Sequence, residues 1–184
     1  MALTSSTMMQ LGTRAPDFCL VDVISEEYLS LDRISSNQTT VIMFLCNHCP
    51  YVKHVLSGLV SLSQDYKERE ISFVGINSND VENYPADSPE KMQELASECG
   101  NPFPYLFDET QQVAKAYSAA CTPDFFVFDR DLRCIYRGQL DDSRPGNGIP
   151  VTGADIRNAL DAILEGKSIN SNQKPSIGCN IKWK

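Results

Sequence analysis

The sequence predicts an α/β fold in which a mixed β-sheet is covered by helices on both faces. Three observations lead to this prediction. Apolar segments typical of strands alternate along the chain with segments of helical period. A helical segment separates the first two apolar strands, so these two strands should be parallel. The last two strands flank a short turn, so they should form an antiparallel hairpin.

The apolar segments predict four strands. Residues 39–46 (TTVIMFLC) are β-branched, aromatic and almost wholly apolar, which is typical of a central strand buried on both faces. Residues 71–77 (ISFVGIN) predict a second buried strand. Residues 124–140 contain two apolar segments around an Asp-Arg-Asp turn and therefore predict the hairpin. The turn-rich residues 77–89 and 141–150 are expected to be loops.

Four segments have the spacing of helices. They cover residues 50 to about 69, a stretch that starts at Ser88, residues 109–118, and residues 152–164. Ser88 is a cap residue followed by a proline and a glutamate, which together mark a helix start. We expect Thr152 to cap the last helix and Gly166 to end it.

Length and composition indicate one domain. The 184 residues are 42% hydrophobic, enough for one core spanning residues 12 to 166, with a C-terminal tail over 167–184. No apolar stretch approaches the ~20 residues needed to cross a bilayer, and the N-terminus lacks the features of a secretion signal. We therefore expect a soluble, cytoplasmic protein that does not bind membranes. The net charge of -8 also makes nucleic acid an unexpected partner.

The seven cysteines are odd in number, which does not suit a secreted disulfide scaffold. We expect most of them to be free thiols in a reducing compartment. Cys19, Cys99 and Cys134 are interpreted as small buried apolar side chains.

The motif Cys46-Asn-His-Cys49 lies between the predicted central strand and the helix that follows. A helix N-terminus favours negative charge, and Cys-X-X-Cys thiols at such positions have pKa values of roughly 3.5 to 7.5. We expect Cys46 to be the exposed nucleophile, Cys49 to lie one turn into the helix and resolve the mixed disulfide, and a protonated His48 to stabilise the thiolate. Zinc is a weaker alternative because the sequence has no second Cys-X-X-Cys and His54 is poorly placed. Haem attachment needs a histidine where Pro50 stands.

Five further segments carry a resemblance to a known family. They are APDFCLVD (15–22), CNHCPYV (46–52), FPYLFDETQQVAKAY (103–117), TPDFFVFDRD (122–131) and IYRGQLDD (135–142). Together they resemble the peroxiredoxin-like redoxins of the thioredoxin fold, which are related to alkyl hydroperoxide reductase and thiol-specific antioxidant proteins. The resemblance implies a thioredoxin-like sheet with an N-terminal β extension. It also implies that Thr122-Pro123 is a cis-proline pair that faces the cysteines and holds substrate backbone. The alternative is an ordinary trans proline at a strand entry.

Two features depart from the family pattern. Peroxiredoxins place their reactive cysteine in a Pro-X-X-X-Thr/Ser-X-X-Cys frame, which neither Cys46 nor Cys49 fits. Thiol peroxidase activity is therefore the second hypothesis. Thioredoxin has a buried aspartate where this chain has Thr40, so the proton acceptor is not identified.

Two other thiols are candidates for accessory roles. Cys121 precedes Thr122 and should lie near the rim of the site. Cys179 lies in the tail, where Gly178 provides a flexible backbone and Ile181 and Trp183 could dock on an apolar surface. We hypothesise that Cys179 is an accessory or resolving thiol; the alternative is a docking tail whose cysteine only packs.

The sequence as a whole predicts a thiol–disulfide oxidoreductase. Its partners would be protein or small-molecule disulfides or thiols together with a thiol reductant, and no organic cofactor or metal is required. A third hypothesis is copper delivery by Cys46, Cys49 and a histidine, because thiolates prefer Cu(I). The direction of exchange and the oligomeric state stay open.

Overall fold

A computed structural model describes residues 3–184 of the chain. Its strands are β1 (Leu3–Ser5), β2 (Cys19–Asp22), β3 (Tyr28–Ser30), β4 (Thr39–Phe44), β5 (Ile71–Asn77), β6 (Tyr105–Phe107), β7 (Cys121–Thr122), β8 (Asp124–Asp129), β9 (Cys134–Gly138) and β10 (Ile177–Asn180). Its α-helices are α1 (Leu31–Ile34), α2 (Pro50–Asp65), α3 (Pro89–Glu98), α4 (Gln112–Ala116) and α5 (Ala154–Leu164). A short 3-10 turn covers Pro85–Asp87.

Seven strands form the main sheet, in the order β3-β2-β6-β5-β4-β8-β9. The pair β4–β5 is parallel, and the pairs β4–β8 and β8–β9 are antiparallel. The predicted mixed sheet is therefore confirmed, including the hairpin. All six residues of β4 are buried, as expected of its central position.

Helices cover both faces of this sheet, as the sequence predicts. Alternate residues of β4 point to opposite faces, so each face has its own apolar core. Val41 and Met43 belong to the core that also contains the buried residues of α2, α3 and α5. Ile42 and Phe44 belong to the core that contains those of α1 and α4.

A second, three-stranded sheet joins the two ends of the chain to β7, the strand that contains Thr122. Its order is β1-β10-β7, with both pairings antiparallel. The N-terminal β extension is thus present, and the tail contributes a strand. Ile181 docks as expected and is buried, whereas Trp183 is 42% exposed, with the Lys115 ammonium 5.7 Å from its ring centre.

Gly178 is not a flexible point, in contrast to the expectation from the sequence. It lies in β10 against β7, and a Cβ atom there would be 2.1 Å from the carbonyl oxygen of Thr122. Only glycine permits this close backbone approach.

Several helix boundaries differ from the predicted ones. Helix α2 ends at Asp65 rather than near residue 69, and α4 starts later because Gln111 has a left-handed backbone with φ of 63°. Gly153, not Thr152, is the N-cap of α5. The buried carboxylate of Asp141 replaces the hydroxyl cap by accepting hydrogen bonds of 2.7 Å from the backbone N–H groups of both residues. Among residues 3–184, no helix has the length and apolar character required to cross a membrane.

Candidate active site

The Cys-X-X-Cys motif connects the central strand of the sheet to helix α2. Cys46 follows β4 by two residues, and Cys49 is the N-cap of α2, so Cys49 does not lie one turn into the helix as expected. Pro50 occupies the first helical position, where its missing N–H costs little. The chain therefore presents the second sulfur directly at the helix N-terminus.

Both sulfurs are covered, and the predicted exposure of Cys46 is wrong. Cys46 is 1% exposed and Cys49 is 0% exposed. The reason is that the residues after β4 stay within the core and pack against Thr122 of β7 and Cys179 of β10. His48 is half-buried and Pro50 is exposed, so they form the accessible part of the motif.

Thr122 contacts both sulfurs. Its Oγ1 atom lies 3.1 Å from Cys46 Sγ, and its carbonyl oxygen lies 3.2 Å from Cys49 Sγ. The peptide bond between Thr122 and Pro123 is cis. The structure thus brings together four of the predicted site residues, namely Cys46, Cys49, Thr122 and Pro123. The carbonyl of Pro123 accepts a 2.8 Å hydrogen bond from the hydroxyl of Ser176.

A buried ion pair anchors the loop that carries Thr122 and Pro123. Asp124 follows the proline and binds the Arg137 guanidinium through two hydrogen bonds, of which Nη2–Oδ2 is 2.9 Å. Neither side chain has exposed surface. The carboxylate also accepts from the backbone N–H of Ala120 at 3.2 Å, so it ties the two ends of the loop together. Burial raises the pKa of Asp124, and the Arg137 charge opposes this rise.

The pKa order of the two cysteines is the reverse of the expected one. A hydrogen bond from Cys46 lowers the pKa of Cys49 to about 4, with further contributions from Cys179 and from the backbone N–H of Val52, against the effect of burial. The pKa of Cys46 is raised by that same hydrogen bond, by burial and by the charge of Asp87. The contact of Cys49 with the Thr122 carbonyl would instead require a proton on Cys49. The helix N-terminus favours the anion at Cys49, so we assign the negative charge of the pair to that sulfur.

His48 forms a hydrogen bond with a residue that the sequence did not identify. Its Nδ1 atom donates to Asp87 Oδ2 at 2.6 Å. The Asp87 carboxylate also accepts from the backbone N–H of Asn47 at 2.7 Å and from Asn79 Nδ2 at 2.8 Å. The imidazole stacks on the ring of Tyr84, with centroids 5.4 Å apart. Asp87 lies in the stretch predicted to be a loop, and nothing in its local sequence distinguishes it from the other acidic residues there.

Asp87 also lies close to Cys46. A ring nitrogen of His48, the Cys46 sulfur and an Asp87 carboxylate oxygen are all within 4.8 Å of one another. Metals bind the same types of donor atom, but the three hydrogen bonds to the Asp87 carboxylate already account for this arrangement. The cluster is therefore interpreted as a hydrogen-bonded network next to the thiols.

The two accessory thiols lie on either side of Thr122. Cys179 pairs with Thr122 in the register of β10 and β7, and its side chain forms a hydrogen bond with Cys49. Burial and the Cys49 contact raise the pKa of Cys179 to about 12. Cys121 is fully buried, and its sulfur donates to the carbonyl of Pro123 at 3.6 Å. Burial raises the pKa of Cys121, so it is held as a thiol.

The remaining cysteines and the second histidine lie outside the site. Cys134 is buried as expected, Cys99 is half-buried, and Cys19 is exposed, so the buried position predicted for Cys19 is wrong. His54 forms a 2.7 Å hydrogen bond with the Ser143 hydroxyl. None of the seven cysteines forms a disulfide.

Comparison with known proteins identifies the family. Residues 11–136, which include both cysteines of the motif, Asp87 and the cis-proline, match the model of the AhpC/TSA family. The chain belongs to the AhpC/TSA family. The resemblance noted from the sequence is thereby confirmed, and so is the thioredoxin-like fold. Cys179 and α5 lie outside the matched region.

Three known proteins are similar to this member of the AhpC/TSA family. Thiol-disulfide oxidoreductase ResA of Geobacillus kaustophilus is 26% identical over 128 residues, which are 70% of this chain and 68% of that protein. An uncharacterized conserved protein from Geobacillus kaustophilus has a solved structure with a TM-score of 0.98 and 62% identity, over 100% of this chain and 97% of that one. A hypothetical protein from Sinorhizobium meliloti 1021 gives a TM-score of 0.95 at 46% identity, covering 98% of both chains.

Proposed function

We propose that this redoxin is a thiol–disulfide oxidoreductase with Cys46 and Cys49 as its exchanging pair. One observation carries the proposal: the two sulfurs are hydrogen-bonded to each other at the N-terminus of α2, and Thr122 contacts both. A thiolate stabilised at a helix N-terminus is both a nucleophile and a good leaving group for disulfide exchange.

The arrangement of the sulfurs supports a role for each cysteine. Cys49 lies between Cys46 and Cys179, whereas Cys46 lies at the end of this row beside His48, whose side chain is 20% exposed. We therefore assign the first attack on a substrate disulfide to Cys46 and the resolving attack to Cys49. His48 adjusts the charge next to Cys46. Thr122 and Pro123 position the partner. Because Cys46 is 1% exposed, a substrate reaches its sulfur only when the residues packed over it, which include Thr122, move away.

The oxidation of the cysteine pair by a substrate disulfide balances without a further reagent. The Cys46 sulfur loses its proton and bonds to one substrate sulfur as the substrate disulfide breaks, and the other substrate sulfur leaves with that proton as a thiol. Cys49 then attacks the Cys46 sulfur, the second substrate thiolate leaves, and a Cys46–Cys49 disulfide remains. Two electrons have passed from the cysteines to the substrate. A thiol reductant returns the pair to the starting state.

Reduction of insulin disulfides by the protein, with dithiothreitol as the electron source, tests this function. We expect the wild-type protein to accelerate the reaction. Cys46→Ser should abolish the acceleration because it removes the nucleophile, and Cys49→Ser should trap mixed disulfides because it removes the resolving thiol. Cys19→Ser, which changes an exposed thiol outside the site, is the matched control. Equal activity in Cys46→Ser and wild type would contradict the proposal.

The two rival functions have their own outcomes. Rapid consumption of hydrogen peroxide by the reduced protein, lost in Cys46→Ser, with no effect on insulin, would favour a thiol peroxidase. Stoichiometric copper in protein purified under reducing conditions would favour copper delivery.

The substrate class, the location and the roles of the accessory thiols are proposed from the same chemistry. We propose protein or small-molecule disulfides as substrates and a cytoplasmic, reducing location, since none of the seven cysteines forms a disulfide. We also propose that Cys179 is an accessory thiol, since its hydrogen bond to Cys49 places it where it can exchange with the Cys46–Cys49 disulfide. Cys121 lies near the site, but its buried thiol favours a packing role.

A further inference from the structure

The first attack by Cys46 requires a proton acceptor. With the negative charge of the pair assigned to Cys49, Cys46 keeps its proton and donates it as a hydrogen bond to the Cys49 sulfur. When Cys46 bonds to substrate, that proton must leave its sulfur. If it moved to Cys49, the resolving sulfur would become a neutral thiol and a weaker nucleophile.

The central strand provides no acidic residue for this purpose. Thr40 lies six residues before Cys46, and its Oγ1 accepts from the backbone N–H of Ser36 at 3.2 Å and from the Ser72 hydroxyl at 3.3 Å. Every residue of β4 is apolar or a threonine. The acceptor must therefore come from another element of the fold.

The 3-10 turn after β5 supplies a buried carboxylate beside Cys46. Asp87 has no exposed surface, and its carboxylate is held by donors from the Cys-X-X-Cys loop (Asn47 and His48) and from the loop after β5 (Asn79). Its backbone carbonyl accepts from Asn77 Nδ2 at 3.3 Å. Three hydrogen-bond donors hold this carboxylate in place, and Nδ1 of the imidazole is one of them. A ring nitrogen of His48 lies within 4.8 Å of the Cys46 sulfur, so the imidazole lies close enough to Cys46 to receive its proton.

We propose that His48 accepts the proton of Cys46 during attack and that Asp87 is the positioning residue that orients the imidazole and balances its charge. This inference rests on the proposed thiol–disulfide exchange and names the proton acceptor of that reaction. Asp87 acts through His48 and does not touch the reacting sulfur atoms of a substrate.

The proton balance of the step is complete. As the Cys46–substrate bond forms, the Cys46 proton moves to His48, which becomes an imidazolium paired with Asp87. The imidazolium then gives this proton to the departing substrate thiolate and returns to the neutral form. Cys49 remains a thiolate throughout and resolves the mixed disulfide without a base of its own.

Other groups face this pair but do not substitute for it. The Tyr105 hydroxyl donates to Asn47 Oδ1 at 3.1 Å, and its pKa is raised by burial and by the charges of Cys46 and Asp87, so it stays protonated. Tyr84 offers its ring face to the imidazole. The Lys182 ammonium lies 5.7 Å from the Tyr84 ring and is bound by the carbonyl and side-chain oxygens of Asn180.

The decisive variant is Asp87→Asn, because it should change two readouts in opposite directions. Loss of the negative charge should move the Cys46 thiolate titration about one pH unit lower, as followed by ultraviolet thiolate absorbance and compared directly with the wild-type titration. Loss of the charge partner of His48 should reduce the single-turnover rate of insulin reduction by about tenfold or more. A residue that only supported the fold would not make Cys46 more acidic and less effective together.

The controls separate this inference from the proposed function. Asp80→Asn removes a carboxylate from the same loop, one bonded to Asn83 and Glu82, and should change neither readout. The titration needs no substrate, so it tests Asp87 even if insulin is not reduced. An unchanged titration, or a rate lowered by the same factor at every pH with the same midpoint, would overturn the inference. If Asp87→Asn does not fold, His48→Asn replaces it. This variant should remove the fall in rate at low pH from the rate–pH profile. An unchanged profile would also overturn the inference.

Discussion

Arg137 and Asp124 show how single residues hold the site in place. The guanidinium bonds the carboxylate, donates to the carbonyl of Phe125 at 3.2 Å and lies 3.9 Å from the centre of the Phe126 ring. Two charges without exposed surface are costly to desolvate unless each is fully paired. Asp124 directly follows the cis-proline, so this pairing fixes the loop that contacts both sulfurs.

Replacing Arg137 should therefore destabilise the protein strongly. Arg137→Met keeps much of the side-chain volume but leaves Asp124 buried without its partner, so the free energy of unfolding should fall by about 3–5 kcal/mol. Urea unfolding of the reduced protein measures this. Arg33→Ala, which breaks an exposed pair with Glu27, is the matched control and should have little effect. Equally small effects of the two changes would show that the buried pair does not anchor the loop.

At the same scale, the sequence predicts residues whose role is local and misses those whose role depends on distant contacts. The positions of Cys46, Cys49 and Pro123 could be predicted because the spacing of each is itself a chemical pattern. The role of Asp87 could not be predicted, because its partners Asn47 and His48 lie 40 and 39 residues away along the chain. The order of the two thiol pKa values depends on Asp87 as well, so it was predicted wrongly.

Strand β10 is the element that the sequence predicts least well and that matters most for access to the site. It is four residues long, and its partners in β1 lie at the opposite end of the chain, as in the pair Leu3 and Cys179. Such a short strand has no clear period of its own. The central strands β4 and β5 could be predicted because each is a run of buried apolar residues.

Gly178→Ala should detach this strand from the site. The added Cβ would meet the Thr122 carbonyl at 2.1 Å, so β10 must shift, with a loss of about 1–3 kcal/mol in unfolding free energy. Cys179 should then react faster with an alkylating reagent in the native protein, as measured by mass spectrometry. Ile177→Val, which adds no atoms to the same strand, should leave the rate unchanged.

The same experiment tests the accessory role of Cys179. If this thiol exchanges with the cysteine pair, graded oxidation of wild-type protein should yield a Cys49–Cys179 disulfide, and Gly178→Ala should yield less of it. Complete absence of Cys179 from disulfides under all oxidising conditions would leave it a packing residue of a docked tail.

For the molecule as a whole, the fold places one negative charge on a dithiol. The sheet brings β4 to the N-terminus of α2, the second sheet covers the sulfurs, and the pKa of Cys49 is lowered to about 4. The unfolded chain would hold a proton on this thiol up to the ordinary thiol range. A depressed folded-state pKa therefore stabilises the reduced protein as pH rises from about 4 toward that range, and this stability is lost as pH falls through about 4.

The reduction potential of the Cys46–Cys49 couple, measured against glutathione or dithiothreitol buffers at several pH values above 4, tests the central claim most directly. With the charge on Cys49, reduction of the disulfide takes up two electrons and one proton, so the potential should fall by about 30 mV per pH unit. A slope of about 60 mV per pH unit would mean that both sulfurs take up a proton. A pair that forms no disulfide at any buffer potential would contradict the account as a whole.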